Sequence, residues 1–259
     1  MIDIHAHILP AVDDGAQNEV ETLAMLQTAV NEGIRTIVAT PHYNRNFTQN
    51  RTSVLRKVEL LQKMIAKHQL DVAVLPGQEI RIYGEVLEDI QSGKLLTIAD
   101  HSQHVLIEFP FRSVPHYAER LFFELEDAGI TPIIAHPERN LELQENPGRL
   151  YDFVVNGALT QVTTSSLTGY FGKQVQKFSR DMIEHNLAHV LATDAHNNSD
   201  RSFTMSEAFA DVEKRFGTYT MNVLQENARL IIEGEDVLVD ELPQMMSGNG
   251  SKKKFFGLF

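Results

Sequence analysis

The chain contains no cysteine, which removes disulfides, thiolate metal sites and cysteine nucleophiles together while leaving the compartment open. No stretch approaches the roughly 18–20 apolar residues of a membrane span. The first apolar run reaches a candidate ligand at His5, so no signal peptide is expected and the default reading is a cytoplasmic protein. Bases are scarce. Lys and Arg number 23 against 35 Asp and Glu, a formal net charge of −12, which argues against nucleic acid as a partner. Part of that acid excess would be neutralised if some of the carboxylates bind cations. The remaining composition, 42% hydrophobic and 22% charged over 259 residues, is ordinary for a globular enzyme. One large α/β domain or two small ones fit this length, and repeated strand–helix units favour one.

What is present is a set of five short apolar runs that each stop at a metal-binding residue type. Ile2-Asp3-Ile4 precedes His5-Ala6-His7, and Thr36-Ile37-Val38-Ala39-Thr40 precedes Pro41-His42. Val105-Leu106-Ile107 precedes Glu108, Pro132-Ile133-Ile134-Ala135 precedes His136, and His189-Val190-Leu191-Ala192-Thr193 precedes Asp194-Ala195-His196. Runs of this length rich in β-branched residues read as buried parallel strands. Imidazoles and carboxylates gathered at strand ends suit divalent transition ions.

Helical patterns separate the runs. Asn18 reads as an N-cap with Glu21 as its capping-box partner, Val20, Leu23, Ala24, Leu26 and Val30 as the apolar face, and Gly33 as the stop. Further helices are predicted over 51–68, 84–92, 117–128, 147–156, 175–186, 205–216 and 219–233. Extended segments are predicted over 34–40, 72–75, 95–98, 105–108, 131–135, 159–163 and 190–193. About seven βα units predict a barrel related to the eight-unit type, with its site at the C-terminal strand ends. An open doubly wound sheet is compatible with the pattern, but ligands on so many strands converge more naturally in a closed barrel.

Each motif has a bland alternative. His5 and His7 face the same side of an extended segment and suit chelation, yet alone they read as half-buried strand histidines. Asp13-Asp14-Gly15 alone is an acidic turn, and the residues themselves do not choose between the two aspartates. Glu79, after Pro76-Gly77, alone is a solvated loop carboxylate. Glu108 is stronger, because a carboxylate between Val105-Leu106-Ile107 and Phe109-Pro110-Phe111 needs a partner. Asp194 and His196 repeat the spacing of the first pair. Joint placement at successive strand ends makes coincidence the poorer account. His136-Pro137-Glu138-Arg139 sets a ligand and a guanidinium on one loop, and Arg201 follows His196 by five residues. An arginine fork pairs two phosphate oxygens at once; the alternative for Arg201 is a plain surface residue. His68, His101, His104, His116, His185 and His189 read as structural or solvent-exposed.

Taken together, His5-x-His7, Asp13-Asp14-Gly15, Thr40-Pro41-His42, Gly77-Gln78-Glu79, Glu108-Phe109, His136-Pro137-Glu138-Arg139 and Asp194-Ala195-His196 resemble the polymerase-and-histidinol-phosphatase (PHP) superfamily. Within it, the Ile4-to-Pro10 segment and the His-Pro-Glu-Arg loop look like the bacterial PHP-class protein-tyrosine phosphatases that act beside capsule and exopolysaccharide tyrosine kinases. The resemblance runs from residue 1 to about 242 and implies a distorted (β/α)7 barrel, an α/β fold with its metal site at the C-terminal strand ends. It implies three divalent metal ions, manganese first, with iron, zinc, cobalt or magnesium compatible. By position the ligands would be His5, His7, Asp14, His42, Glu79, Glu108, His136, Asp194 and His196, with Glu79 bridging. Arg139 and Arg201 would hold the phosphate, and His42 or His196 would stand beside the leaving oxygen. The implied activity is hydrolysis of phosphotyrosine by a metal-activated hydroxide, on a membrane-associated bacterial tyrosine kinase or related proteins. Two other readings keep the metals: hydrolysis of a small phosphomonoester such as histidinol phosphate, and a non-catalytic kinase partner. Segments 44–50 and 109–116 would wall the groove in either enzyme.

Residues 243–259 read as a tail separate from the 1–242 barrel. Ser247-Gly248-Asn249-Gly250-Ser251 is a flexible linker by composition, followed by Lys252-Lys253-Lys254 and Phe255-Phe256-Gly257-Leu258-Phe259. Besides a disordered end, residues 252–259 suit peripheral contact with an anionic membrane, at roughly 1 kcal/mol per lysine, or docking to the kinase complex. The oligomeric state is not legible.

Overall fold

The alternation of apolar runs and amphipathic segments produces parallel strands backed by helices. A computed structural model describes residues 1–239 and 241–246. The first half runs β1 (Ile2–Ala6), α1 (Glu19–Asn31), β2 (Thr36–Ala39), β3 (His42–Tyr43), α2 (Arg51–His68), β4 (Ala73–Pro76), β5 (Glu79–Arg81) and α3 (Val86–Gln91). The second runs β6 (His104–Glu108), α4 (Ala118–Asp127), β7 (Thr131–Ala135), α5 (Leu141–Glu145), α6 (Pro147–Val155), β8 (Leu159–Thr163), α7 (Thr164–Thr168), α8 (Lys173–Glu184), β9 (Val190–Ala192) and α9 (Met205–Glu233).

Every ladder is parallel, in a three-stranded sheet β1-β2-β4 and a six-stranded sheet β3-β5-β6-β7-β8-β9. Thr40-Pro41 separates β2 from β3 and Gly77-Gln78 separates β4, which ends at Pro76, from β5; a proline at each break lacks the N–H that would continue the ladder. Each interrupted pair is one stave, so the strands occupy seven positions. The β9–β1 seam is an isolated bridge between Ala6 and Ala195, flanked by Asp194 N–H to His5 O and His7 N–H to Ala195 O, both 2.8 Å. Buried Asp3 reinforces it by accepting from Thr193 N–H (3.0 Å) and Thr193 Oγ (2.5 Å). The architecture is therefore a distorted seven-staved α/β barrel, with two breaks and a stitched seam in place of one continuous ladder.

Strand alternation divides the core in two. One layer packs Ile4, Val38, Leu106, Ile133, Leu159 and Val190 with Ile98 and with Ala228 and Ile231 of α9. The other puts Ile37, Val105, Ile107, Ile134, Val162 and Leu191 against the helices, including Leu26, Leu61, Leu121, Phe153 and Met182. The two last expected helices are arms of α9, bent at Gly217 where φ is +90°. Backbone contact continues past the barrel helices, with Gln244 N–H donating to His185 O and Met246 buried.

Two expectations need correction. Asn18 caps α1 as expected, accepting from Glu21 N–H, but Val20 is 76% exposed and Ala24 also faces solvent. The buried stripe is Thr22, Met25, Leu26 and Ala29; Thr22 can turn inward because its hydroxyl donates to Ile8 O. Segment 95–98 is not a strand. Leu96 N–H is taken by the Gln78 side chain and the chain enters a 3-10 turn at Ile98–Asp100, so its apolar character reflects burial alone. No described helix is long and apolar enough to cross a membrane. The linker and the basic-aromatic segment at 247–259 lie outside the described residues.

His189 yields a stability prediction. It is buried, its Nδ1 accepts from Thr160 N–H at 3.1 Å, and desolvation pulls its pKa from 6.5 down to about 4. The folded state thus keeps the ring neutral while the unfolded chain takes up a proton below about pH 6.5. Stability from this group is present above that pH and is lost as pH falls towards 4, on the order of 3 kcal/mol in full. Urea unfolding of wild type and His189→Gln at pH 7 and pH 4.5 should show a shallower acid loss in the variant. Identical pH dependence would contradict the assignment.

Candidate metal centre

The candidate ligands reach one place because successive staves end there. β1 carries His5 and, one residue beyond its end, His7. His42 opens β3, Glu79 opens β5 and Glu108 closes β6. His136 follows β7, while Asp194 and His196 follow β9. His136 and Asp194 adopt left-handed backbone, with φ of 33° and 52°; such conformations are costly for L-residues and concentrate where a side chain must be aimed. Asp14 arrives from the loop after β1, which Gly15 brings so close that a Cβ there would lie 2.1 Å from His7 O.

Eight of the nine expected ligands fall into three overlapping groups. His7, Asp14, His42 and His196 form one, His5, His7, Glu79 and Asp194 another, and His42, Glu79 and Glu108 the third. Within each group one ligating atom per residue lies within 4.8 Å of all the others. His136 belongs to none by that measure, but its Nε2 is 2.7 Å from Glu79 Oε1. Glu79 is the hub: its Oε2 is 3.4 Å from His5 Nε2, 3.3 Å from His7 Nε2 and 2.8 Å from His42 Nδ1.

The donor chemistry fits divalent cations. His42 Nδ1, Glu79 Oε2, Asp194 Oδ1 and His196 Nε2 are buried without an aligned hydrogen bond, Glu108 Oε2 has only its ion pair with Arg81, and buried polar atoms ordinarily have partners. The Nε2 atoms of His5 and His7 face each other at 3.2 Å. Their remaining nitrogens are committed, His5 Nδ1 to Gln161 Oε1 at 2.9 Å and His7 Nδ1 to Asp13 Oδ2 at 2.7 Å. His196 Nδ1 likewise donates to Asp194 O at 2.9 Å. Such outer hydrogen bonds set the tautomer that leaves Nε2 as a ligand.

The two neighbouring aspartates take different places. Asp14 Oδ1 stands 3.4 Å from His42 Nε2 and 3.5 Å from His196 Nε2. Asp13 turns away to hold His7 and also accepts from Gly15 N–H and His42 N–H, each at 3.0 Å.

Electrostatics sets the ligands apart: against its burial, His7 is held well above the usual imidazole range by Asp13, and His42 is raised by Glu79. Burial opposes ionisation of Glu79, but His42 and His5 beside it prevail and hold it well below the usual carboxylate range. Burial is likewise overcome at Asp194, chiefly by the Arg139 guanidinium. Burial and then Arg139 pull His136 down to about 4, leaving it neutral at pH 7. Glu108 is pushed up to about 7 by burial and by the neighbouring Glu79. A metal takes neutral imidazoles and ionised carboxylates, so binding here would displace protons from His7, His42 and Glu108.

Both expected arginines converge on this centre. Arg139 Nη2 lies 2.5 Å and Arg201 Nη2 2.9 Å from the same Asp194 Oδ2. The other oxygen of that carboxylate is 3.3 Å from the Nε2 atoms of His5 and His7. Arg139 also lies over the Phe171 ring at 4.8 Å. Both guanidiniums line a cavity of about 680 Å³ whose wall includes Phe47, Phe109, Phe111, Tyr170 and Phe171.

Several contributors escaped sequence reasoning. Gln161 is one, although a polar residue inside the Leu159–Thr163 run was a signal. Arg81 pairs with Glu108 at 2.9 Å. Glu138, fully buried, accepts from Thr163 N–H and Ser166 Oγ and ties the His136 loop to β8. None of the six remaining histidines enters a ligand group among the described residues.

Comparison with known proteins places this arrangement in a family. The family model described as "Capsular polysaccharide synthesis, CpsB/CapC" matches residues 1–233. The chain is 46% identical over 260 residues to the tyrosine-protein phosphatase YwqE of Bacillus subtilis, covering all of both chains. It is 32% identical to the tyrosine-protein phosphatase CpsB of Streptococcus pneumoniae over 239 residues, 90% of this chain and 98% of that one. Among solved structures, a chain from the crystal structures of YwqE and of CpsB, described there as metal-dependent tyrosine phosphatases, superposes with a TM-score of 0.93. That match is 46% identical and covers 95% of this chain and 100% of the other.

The contrast between the two aspartates is testable. Asp13→Ala should weaken divalent-metal binding about 10–100-fold, the usual cost of losing an outer hydrogen bond to a ligand histidine. Metal titration of the stripped variant by calorimetry measures this, and wild-type affinity would contradict it.

Proposed function

The chain belongs to the CpsB/CapC family of capsular polysaccharide synthesis, and from that membership we propose that it is a metal-dependent protein-tyrosine phosphatase. The observation that carries the reading is three ligand groups sharing His7, His42 and Glu79 directly beneath two arginines. His5, His7, Asp14, His42, Glu79, Glu108, His136, Asp194 and His196 would hold up to three divalent cations, with manganese first among the candidates. Cations held there would supply Lewis acidity towards phosphoryl oxygens and lower the pKa of water.

The chain's own groups do the rest. Arg139 and Arg201 offer their forks to the phosphoryl oxygens, and Asp194, which they share, fixes their position in advance. Phe47, Phe109 and Phe171 line the cavity where an aryl ring would lie. His42 stacks on Phe47 with centroids 6.0 Å apart, at the edge where the ring would leave. Phenolate is a good leaving group, so the demand on a general acid is modest. Phe111 at the mouth is 61% exposed and Tyr170 50%, an opening suited to a protein side chain more than to an enclosed metabolite such as histidinol phosphate.

The natural substrate we propose is phosphotyrosine on a membrane-associated tyrosine kinase of capsule or exopolysaccharide synthesis, or on related proteins. Within this reading the barrel of residues 1–242 works in the cytoplasm, and residues 252–259 of the tail make the peripheral contact with membrane or kinase. Support comes from the family, from the composition of that segment, and from the lack of a membrane-spanning helix among the described residues.

The deciding experiment compares initial rates on a phosphotyrosine peptide, a phosphoserine peptide and histidinol phosphate after chelator treatment and reloading with Mn²⁺. Turnover is expected for the phosphotyrosine peptide, and preference for histidinol phosphate would overturn the substrate reading. Asp194→Ala, which removes a ligand and frees both arginines, should lower turnover on the order of 10³-fold while the protein stays folded. His136→Ala should act in the same direction. Near-wild-type rates in either variant would contradict the site.

A further inference from the structure

The cations of this acidic chain are unevenly committed. Inside the cavity, Arg81, Arg139 and Arg201 are each paired with a carboxylate of the centre. Around its mouth, three others are not. Arg45 lies between the wall residues Asn44 and Asn46, Arg112 follows Phe111, and Lys173 precedes Gln174. All three are exposed, and among the described residues none has an ion pair or side-chain hydrogen bond. They come from three separate segments, each of which contributes a neighbouring residue to the cavity wall. The acids nearby are otherwise engaged. Asp14 belongs to a ligand group, Asp200 accepts from the Tyr170 hydroxyl, and Glu142 pairs with Arg149.

The loops bearing two of these cations are pinned. Asn44 N–H donates to Phe47 O at 2.8 Å, and Asn44 Oδ1 accepts from the N–H groups of Asn46 and Phe47. The Phe111 loop is held by Leu141 N–H on Phe111 O and by Asn140 Nδ2 on Pro110 O and Ser113 O. Exposed Phe111 and Tyr170 form apolar ledges beside these charges. Unpaired cations on segments that wall the cavity, in a protein of net charge −12, suit an electrostatic selector for an acidic polypeptide.

We propose that Arg45, Arg112 and Lys173 select phosphotyrosine flanked by acidic residues, pairing with carboxylates on either side of it while Phe111 receives an apolar neighbour. The inference rests on the phosphotyrosine reading and adds the sequence class of the substrate. Small phosphomonoesters carry no flanks and gain nothing from the rim.

The test uses the full chain loaded with Mn²⁺ and three phosphotyrosine peptides identical except for flanking Glu, Ala or Lys. At low ionic strength kcat/KM should fall in that order, by about ten-fold or more from Glu to Lys, and the spread should narrow as salt is added. Combining Arg45→Glu, Arg112→Glu and Lys173→Glu should abolish or invert the order. Equal rates on the three peptides in wild type would overturn the proposal. So would an order that persists in the triple variant, which would place the selection elsewhere, for instance in Lys252-Lys253-Lys254. Absence of turnover on every peptide contradicts the phosphotyrosine reading itself, and the inference falls with it.

Discussion

The whole centre depends on one buried carboxylate. Glu79 is fully buried, and an isolated ionised carboxylate in such a place is strongly disfavoured. It stays ionised because the imidazoles of His5, His7, His42 and His136 surround it, brought by the ends of β1, β3 and β7. The dependence is mutual. Without Glu79 those imidazoles would face one another across a gap in which His5 and His7 already approach to 3.2 Å. The broken stave that carries Glu79 follows from the same need: Pro76-Gly77 ends β4 and lets the chain restart as β5, with Glu79 directed at the axis. A Cβ on Gly77 would meet Val38 at 2.7 Å, so the restart requires a glycine there.

Asp194 plays the complementary part by coupling the ligand cluster to the anion-binding groups. One of its oxygens faces the paired histidines and the other receives both arginines. Its left-handed backbone and the hydrogen bond from its N–H to His5 O place it at the β9–β1 seam. The contacts that join β9 to β1 and those that set Asp194 against the first His pair are therefore made by the same few residues. The seam is held by Asp3, Thr193 and the Ala6–Ala195 bridge, and loosening it would separate the first His pair from Asp194. Charge is placed in the same way, with Arg81, Arg139 and Arg201 tied to carboxylates of the centre and, among the described residues, Arg45, Arg112 and Lys173 without an ion pair.

The parts of this arrangement legible in the sequence were those encoded by local spacing. His5-x-His7 and Asp194-x-His196 declared themselves because two residues of extended chain put both side chains on one face. The helix expected at about 51–68 and the strand expected at 131–135 coincide with the observed elements, the strand because a β-branched run marks it. Missing were the relations between residues distant in sequence. Gln161 fixes the His5 tautomer across 156 residues, and no local pattern announces that. Asp13 and Asp14 are adjacent and chemically identical; only the turn at Gly15 sends one to His7 and the other to His42 and His196. Val20 looked like core on α1 because it is apolar, yet Thr22 occupies the buried stripe once Ile8 O accepts its hydroxyl.

The central claim is that the three groups sharing His7, His42 and Glu79 are cation sites. Anomalous diffraction from crystals of Mn²⁺-loaded protein, with metal content measured on the same sample, tests it most directly. The account predicts manganese peaks within these groups, up to three per chain, with Glu79 contacting more than one, and their disappearance in Glu79→Ala. Metal bound elsewhere, or none retained by the folded wild-type protein, would contradict it.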